Sequence, residues 1–211
     1  MSGVLAIDLG TTGIKVAVID DAGRVLSSAG EVLPMIGVAG GGVEQDPNGW
    51  WEALGRCARS AIETSPFSAG DIGLVAVTAQ YTSTVAVAAD GMPLANTIMW
   101  MDQRGRRHNP AIPTAEQAAR WIDVHGMAPS GNDDIGHVAV FRAEMPDVYE
   151  AAAAFGEPSG TSGGNLATSR CDIASSSSLY SVSPHVRLST ESIGNIVFCV
   201  AVTVPVRRAA R

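Results

Sequence analysis

Apolar and polar residues alternate at the start of the chain in a way that predicts three short strands. The alternating or β-branched runs cover about residues 3–9, 13–20 and 24–33, and turns that contain glycine lie between them. Runs of this length joined by tight turns are typical of antiparallel strands. The pattern therefore predicts a three-stranded antiparallel meander.

A helix is predicted after the meander. Residues 36–45 are rich in glycine and predict a loop, and Asp46 followed by Pro47 is a favourable start for a helix. Over about residues 47–64, apolar side chains recur every three or four positions, so one face of the helix can pack on the sheet. The members of this face are Trp51, Leu54, Ala58, Ala61 and Ile62. Trp50 is expected in the core as well.

The middle of the chain predicts another strand, a hairpin and more helices. Residues 72–79 form a continuous apolar run, the pattern of a strand that is buried on both faces. A hairpin is indicated by runs at 84–89 and 94–101 around Asp90 and Gly91. The further helices are predicted at about 114–124, 134–144 and 146–155, the last one because of four consecutive alanines.

The first turn of the meander carries residues that suit a phosphate group. Gly10, Thr11 and Thr12 lie in the turn, Asp8 precedes it, and Lys15, the chain's only lysine, follows it. Glycine lets backbone N–H groups approach a polyanion, threonine hydroxyls add donors, and a carboxylate can hold a hydrated divalent cation. A strand follows rather than the helix of a Walker loop. This arrangement suggests the actin-like, ribonuclease H-like ATPase fold, and an ordinary glycine-turn hairpin is the alternative.

Composition narrows the class of ligand. The formal net charge is −7 and 46% of the residues are hydrophobic, so the chain can form a core but has no basic stripe for nucleic acid. We therefore expect a small-molecule ligand, and neither a nucleic acid nor a membrane as partner. Three widely spaced cysteines predict no disulfide framework and no zinc site, and with the absence of a signal-peptide pattern they favour the cytoplasm.

A polar cluster follows the apolar run at residues 72–79. Gln80, Tyr81, Thr82, Ser83 and Thr84 stand where that strand is predicted to end. Ligands of α/β sheets bind at the carboxyl ends of strands, which makes these side chains candidates for ligand contacts. A polar loop between two strands is the alternative interpretation.

A second candidate cluster lies in the segment IMWMDQRG. Trp100, Asp102 and Arg104 occupy alternate positions there, so an extended chain would place them on one side. A stacking surface, an acceptor and a fork of donors could together bind a polyol. The alternative is a salt bridge between Asp102 and Arg104 at the start of the next helix.

Four segments taken together resemble the N-terminal domain of FGGY carbohydrate kinases. In chain order they are DLGTTGIKVAVID, EQDPNGWWEAL, VAVTAQYTSTVAVAADGMPL and IMWMDQRG. The later stretch NDDIGHVAVFRAEMPDVYEAAAAFGEP resembles the family's helical segment, closest to xylulokinase-like members. The resemblance covers about residues 3–158. It implies an α/β, actin-like (ribonuclease H-like) ATPase domain with a mixed sheet and flanking helices.

The resemblance also implies a reaction, the transfer of phosphate from ATP to a hydroxyl of a sugar or polyol. Asp8 would orient a hydrated Mg²⁺, and Lys15 would assist. The ATP phosphates would be contacted by Gly10, Thr11 and Thr12. The sugar site would be lined by Gln80, Tyr81, Thr82, Trp100, Asp102 and Arg104. The sequence does not identify the sugar, because Tyr81 and Thr82 differ from the pairs of the better-defined xylulose and glycerol enzymes.

The resemblance is lost near residue 158. In the family, the aspartate that accepts the proton of the attacking hydroxyl lies in a GDN-type segment beyond this match, and the sequence contains no such segment. Residues 159–211 hold two acids against five arginines and eleven serines. We therefore predict an incomplete kinase domain over 1–158 and a divergent, poorly ordered tail over 159–211. The apolar run 193–204 is too short to span a bilayer.

Our hypothesis is that the tail is an out-of-frame or unrelated ending, which would leave the chain inactive by itself. One alternative is a non-catalytic sugar- or partner-binding fragment, complemented by a separately encoded second kinase domain. Another is a different actin-like ATPase. Sequencing the genomic locus tests the frameshift, because another reading frame after codon 158 should then encode the missing continuation. If neither of the other frames does, the frameshift idea fails.

Overall fold

The predicted meander is confirmed in the computed structural model, which describes residues 3–108, 115–126, 128, 130–158 and 198–199. Its strands are β1 (Gly3–Leu9), β2 (Gly13–Ile19) and β3 (Val25–Val32), paired antiparallel in sequence order. Alternate side chains of β1 and β2 are buried, which defines one core face. Asp8 and Lys15 are partners across the other face.

The meander is part of a five-stranded mixed sheet. Strand β6 (Ile72–Ala79) pairs parallel to β1, and the two-residue strand β10 (Phe198–Cys199) pairs parallel to β6. The strand order is β10-β6-β1-β2-β3. Helix α1 (Pro47–Glu63) packs on β2 and β3, and the main core lies between this helix and the sheet.

Helix α1 starts as predicted, and all but one residue of its predicted apolar face are buried or pack against the core. The Asp46 carboxylate accepts a hydrogen bond of 2.9 Å from the Asn48 N–H, which confirms the expected cap. The buried residues of the helix are Trp50, Ala53, Cys57, Ala58 and Ala61. Trp51 is 45% exposed, so the prediction that it belongs to the core is wrong. Leu54 and Ile62 are partly buried against the core, so the rest of the predicted face is confirmed.

The glycine-rich segment before α1 is a hairpin and not the predicted loop. Strands β4 (Ile36–Val38) and β5 (Gly42–Gln45) pair antiparallel, and β5 also pairs with β8 (Thr97–Ile98). Gly40 and Gly41 have φ values of +74° and +81° at the turn between them. Positive φ is a common requirement of tight hairpin turns, so the glycines mark a turn here.

Two expectations for the middle of the chain need correction. Among the described residues, β6 is not buried on both faces, because Leu74 is 37% exposed while Val75 is 1% exposed. The predicted hairpin turn is present, with Ala88 N–H donating to the Met92 carbonyl at 2.8 Å, but its arms are short. The arms pair through antiparallel bridges between Thr84 and Ile98 and between Val87 and Pro93. Strand β7 (Val85–Val87) also pairs with β9 (Ala154–Gly156), a distant partner that the sequence did not predict.

Four helices follow in the second half of the described chain. They are α2 (Gly105–His108), α3 (Ala115–His125), α4 (Asp134–Glu144) and α5 (Pro146–Ala151). The predicted bounds of α4 are confirmed, α2 was not predicted, and α5 ends earlier than predicted. Ala154 begins β9 instead, since pairing with β7 overrides the helix propensity of alanine. Apart from β10, the predicted tail lies outside the described residues. In the described part of the chain, no helix is long and apolar enough to cross a membrane.

A second, smaller core joins α4 and α5 to β7 and β9. Its centre is Phe141, whose ring centroid lies 5.3 Å from that of Phe155. His137 of α4 is fully buried in this region, and its Nδ1 lies 2.9 Å from the Thr84 hydroxyl. Burial disfavours the charged ring and lowers the pKa of His137 to about 4.

This buried histidine should make stability depend on pH. The unfolded chain binds a proton at His137 more readily than the folded chain, because the folded-state pKa lies below the ordinary value of 6.5. The free energy of unfolding should therefore fall by about 2 kcal/mol from His137 alone between roughly pH 7 and pH 5. His137→Asn, which keeps a polar partner for Thr84, should flatten this decline in urea titrations. His108→Asn, at a partly exposed histidine, is the control, and an unchanged decline in His137→Asn would contradict the prediction.

Candidate functional site

The turn between β1 and β2 is tightly closed by backbone contacts. The Gly10 N–H donates to the Gly13 carbonyl at 3.0 Å, and the Leu33 N–H donates to the Thr12 carbonyl at 3.1 Å. A Cβ atom on Gly13 would lie 2.7 Å from the Glu31 carbonyl oxygen, so the neighbouring strand requires glycine at this position. Thr12 is exposed at the tip. The turn therefore presents a fixed backbone to solvent.

An acid and a base lie next to this turn on the solvent face of the sheet. The Lys15 ammonium is 3.4 Å from the Asp8 carboxylate, and the two side chains are 76% and 46% exposed. The structure thus brings Asp8 and Lys15 together beside Gly10, Thr11 and Thr12, as the sequence predicted. An exposed carboxylate beside open N–H and hydroxyl donors suits a hydrated cation and a phosphate.

The polar cluster after β6 lies directly beside the turn. The Gln80 N–H donates to the Leu9 carbonyl at 2.8 Å, so the carboxyl ends of β1 and β6 are adjacent. Gln80 is buried and Tyr81 is 67% exposed. Thr82 has φ of +55° and is the one non-glycine residue of the described chain with positive φ. Such backbone conformations cost energy and cluster at ligand-binding loops.

Trp100 connects the second candidate cluster to the same place. Its indole Nε1–H donates to the Thr11 hydroxyl at 3.1 Å, although the two residues are far apart in the chain. Trp100 is 45% exposed, and Tyr81 of the polar cluster is 67% exposed. The Trp100 ring and the Thr11 hydroxyl thus lie together at a partly open surface, on which an amphipathic small molecule could bind.

Asp102 and Arg104 do not share the exposure of Trp100. The segment turns instead of extending, with the Asp102 N–H donating to the Met99 carbonyl at 2.8 Å, so the expectation of one common side is wrong. Asp102 is fully buried and Arg104 is 3% exposed. Their side chains form a salt bridge of 2.7 Å, which is the alternative that the sequence left open. Their contact with a substrate stays a prediction.

The Asp102 and Arg104 pair joins three segments of the chain. The Asp102 carboxylate also accepts from the Val43 N–H at 2.9 Å, and Arg104 donates to Glu44 at 2.8 Å and lies 3.6 Å from Glu144. Burial opposes ionisation of Asp102, but the hydrogen bonds from Arg104 and Val43 outweigh it and hold the pKa of Asp102 below its ordinary value. This ion cluster anchors the loop that carries Trp100.

Two buried residues outside the predicted ligand contacts connect the site internally. Gln45 is fully buried at the end of β5, and its amide donates to the Thr11 carbonyl at 2.8 Å. Ser83 is also fully buried, and its hydroxyl accepts from the Trp100 N–H at 3.1 Å. Gln45 falls in a segment predicted as a loop, so periodicity gave no signal for it. The described residues contain no group of three or more His, Cys, Asp or Glu that could hold a metal ion.

Comparison with known proteins gives a family match over most of the chain. A model of the N-terminal domain of the FGGY family of carbohydrate kinases matches residues 3–160. A xylulose kinase of Staphylococcus epidermidis is 36% identical over 101 residues, which are 48% of this chain and 20% of that protein. A glycerol kinase of Methylibium petroleiphilum is 32% identical over 139 residues, which are 65% of this chain and 26% of that protein. The chain thus spans a small part of the length of these relatives.

Solved structures share the fold. The ligand-bound xylulose kinase from Lactobacillus acidophilus has a TM-score of 0.70 and 19% identity, covering 79% of this chain and 33% of that one. Glycerol kinase of Plasmodium falciparum with ADP has a TM-score of 0.63 and 19% identity, covering 79% of this chain and 34% of that one. At this level of sequence identity, the structural match shows the fold alone. The match confirms the actin-like architecture that the sequence predicted.

The buried ion cluster yields a stability prediction. Arg104→Met removes the charge partner of the buried Asp102 and should lower the free energy of unfolding by about 3 kcal/mol or more. Arg56→Met is the matched control, because the salt bridge of Arg56 with Glu31 is exposed to solvent and should contribute far less to stability. Urea denaturation measures both variants. Equal losses in the two would show that the Arg104 cluster does not anchor the loop.

Proposed function

Because the chain belongs to the FGGY family of carbohydrate kinases, we propose that it supplies part of a site for ATP-dependent phosphorylation of a sugar or polyol hydroxyl. The observation that carries the proposal is the contact of 3.1 Å between the Trp100 indole and the Thr11 hydroxyl. Thr11 belongs to the turn that suits phosphates, and Trp100 offers an open aromatic face. A phosphate donor and a sugar acceptor bound at these two residues would be neighbours, as direct transfer requires.

The nucleotide half of the proposed site is the turn between β1 and β2. Gly10, Thr11 and Thr12 would contact the phosphates of ATP, and the exposed Lys15 would add positive charge beside them. Asp8 fits a hydrated Mg²⁺, because its carboxylate is exposed and is the acid next to the turn. When bound, the ion would neutralise charge on the phosphoryl oxygens. The chain's own contribution is to fix the donors of the turn in place.

The acceptor half of the proposed site is the surface formed by Tyr81, Thr82 and Trp100, with Gln80 below it. The relatives include enzymes named xylulose kinase and glycerol kinase, so we propose an acceptor of that size, a short sugar or polyol. Aromatic faces would pack on its carbon skeleton, and hydroxyls of the loop would orient its oxygen atoms. Asp102 and Arg104 would act from below the surface, by fixing the loop that carries Trp100.

Phosphoryl transfer requires positioning, charge neutralisation and a group that accepts the proton of the attacking hydroxyl. We propose that residues 1–158 provide the first two in part, and that the proton acceptor belongs to a kinase segment beyond the matched residues. The chain alone should then bind ligands without turnover. We also propose that the protein is located in the cytoplasm, because ATP is available there.

Binding and turnover assays test this proposal. Calorimetry should detect Mg·ATP binding to the chain, and Asp8→Asn should weaken it roughly tenfold or more, because a water-mediated magnesium contact is lost. Asp21→Asn, which removes an exposed carboxylate at the far end of β2, should leave the affinity unchanged. Equal affinities of Asp8→Asn and the unmodified chain would contradict the assignment of the turn.

Coupled ADP-release assays with xylulose, glycerol, gluconate and ribulose complete the test. No sugar-dependent ADP release is expected from the chain alone. Robust release with any of the four would refute the claim that the proton acceptor lies elsewhere. An absence of any nucleotide binding would favour the alternative of a non-catalytic sugar- or partner-binding fragment.

A further inference from the structure

A closed ring of hydrogen bonds joins the turn between β1 and β2 to the polar cluster after β6. Its members, in order around the ring, are Thr11, Gln45, Gln80, Ser83 and Trp100. The Gln45 amide donates to the Thr11 carbonyl at 2.8 Å, and the Gln80 amide donates to Gln45 Oε1 at 3.4 Å. The Ser83 hydroxyl donates to Gln80 Oε1 at 3.3 Å and accepts from the Trp100 N–H at 3.1 Å. The Trp100 indole, which donates to the Thr11 hydroxyl at 3.1 Å, closes the ring.

The orientation of the Gln45 amide is fixed by its neighbours. An indole N–H can only donate, so the contact of 3.1 Å from Trp50 Nε1 requires the amide oxygen of Gln45 on that side. The amide nitrogen then faces two carbonyls, those of Thr11 at 2.8 Å and Leu33 at 3.4 Å, which can only accept. If the amide were flipped, its oxygen would face the carbonyls of Thr11 and Leu33, and its nitrogen would face the Trp50 indole N–H. None of these contacts could then be a hydrogen bond. Gln45 therefore has a single orientation.

The same argument fixes the hydroxyl of Thr11. Because the Trp100 indole can only donate, the Thr11 oxygen must be the acceptor of that bond. The hydroxyl proton of Thr11 is consequently free to point elsewhere, and Thr11 is only partly buried. A hydroxyl that accepts on its inner side and donates on its outer side suits an anion such as a phosphate.

Burial makes the inner half of the ring rigid. Gln45 and Ser83 are fully buried and Gln80 is 9% exposed, whereas Trp100 is 45% exposed. A broken bond in the inner half would leave buried donors or acceptors without partners, which costs more than the bond itself contributes. The outer members, Thr11 and Trp100, are thus fixed from below by buried side chains.

We propose that Gln45 and Ser83 are positioning residues that keep Thr11 and Trp100 together as one unit, with the Thr11 hydroxyl directed at a phosphate. A sugar that orders Trp100 would then order Thr11 for the nucleotide, and a nucleotide would do the same for the sugar, so that each ligand strengthens binding of the other. The identity of the two ligands rests on the proposed function. The hydrogen-bonded unit itself is independent of that function.

Ser83→Ala and Gln45→Glu test the ring. Ser83→Ala removes two of its bonds without touching a surface residue, and Gln45→Glu replaces the amide donor by an acceptor while keeping the shape. Ser65→Ala and Gln103→Glu are the matched controls. The Ser65 hydroxyl also donates to a carbonyl and accepts from an N–H, but at the end of α1, and Gln103 is exposed.

The first measurement is nuclear magnetic resonance of the full chain. Hydrogen exchange of the Gly10 amide, which closes the turn, should become about fivefold faster or more in Ser83→Ala, as expected for the loss of a hydrogen bond. The indole nitrogen signal of Trp100 should shift in both ring variants and in neither control. Unchanged exchange and an unchanged Trp100 signal in Ser83→Ala, with the protein folded, would overturn the proposal.

The second measurement is the affinity for Mg·ADP with and without xylulose or glycerol. In the unmodified chain the sugar should strengthen Mg·ADP binding about fivefold or more, and in Ser83→Ala this ratio should fall to about one. A ratio that is the same in both proteins would overturn the coupling. If the unmodified chain binds no Mg·ADP, the proposed function and the coupling both fail, while the exchange data still decide whether the ring fixes the turn.

Discussion

The buried amide of Gln45 is the constraint on which the candidate site depends. It is the point where the turn between β1 and β2, strand β5, helix α1 and the loop after β6 meet, through contacts with Thr11, Trp50 and Gln80. A buried amide has to satisfy its donors and acceptors, so these four segments have only one mutual arrangement. That arrangement places the open turn beside the exposed face of Trp100.

The charged cluster around Arg104 has a different role in the same region. Its guanidinium pairs with Asp102, Glu44 and Glu144, which come from three separate segments, and Arg104 and Asp102 themselves are buried. Buried ion pairs contribute little net stability, but they penalise any arrangement in which one partner is missing. The loop between β8 and α2 is thereby fixed at its base, and Trp100 projects from a fixed loop rather than a mobile one.

Phosphoryl transfer suits a site that is built in this way, because the reaction gains more from position than from covalent participation by the protein. The contacts around Gln45 and Arg104 restrict motion without occupying the open surface. The family match covers residues 3–160, which include this surface. The relatives extend well beyond the part that this chain matches. We propose that the rest of the reaction depends on groups from that further part.

The sequence alone determined the features that depend on neighbours along the chain. The meander, the Asp46 cap, the bounds of α4 and the pairing of Asp8 with Lys15 all follow from local periodicity and turn chemistry. Only the tertiary structure decided that Trp51 lies outside the core, that residues 36–45 form a hairpin, that Asp102 and Arg104 are enclosed, and that Gln45 joins the two halves of the site. These outcomes depend on contacts between residues 11, 45, 80 and 100, which lie far apart in the chain. Local patterns contain no information about such contacts, because a given spacing of residues is compatible with more than one packing or hydrogen-bonding partner.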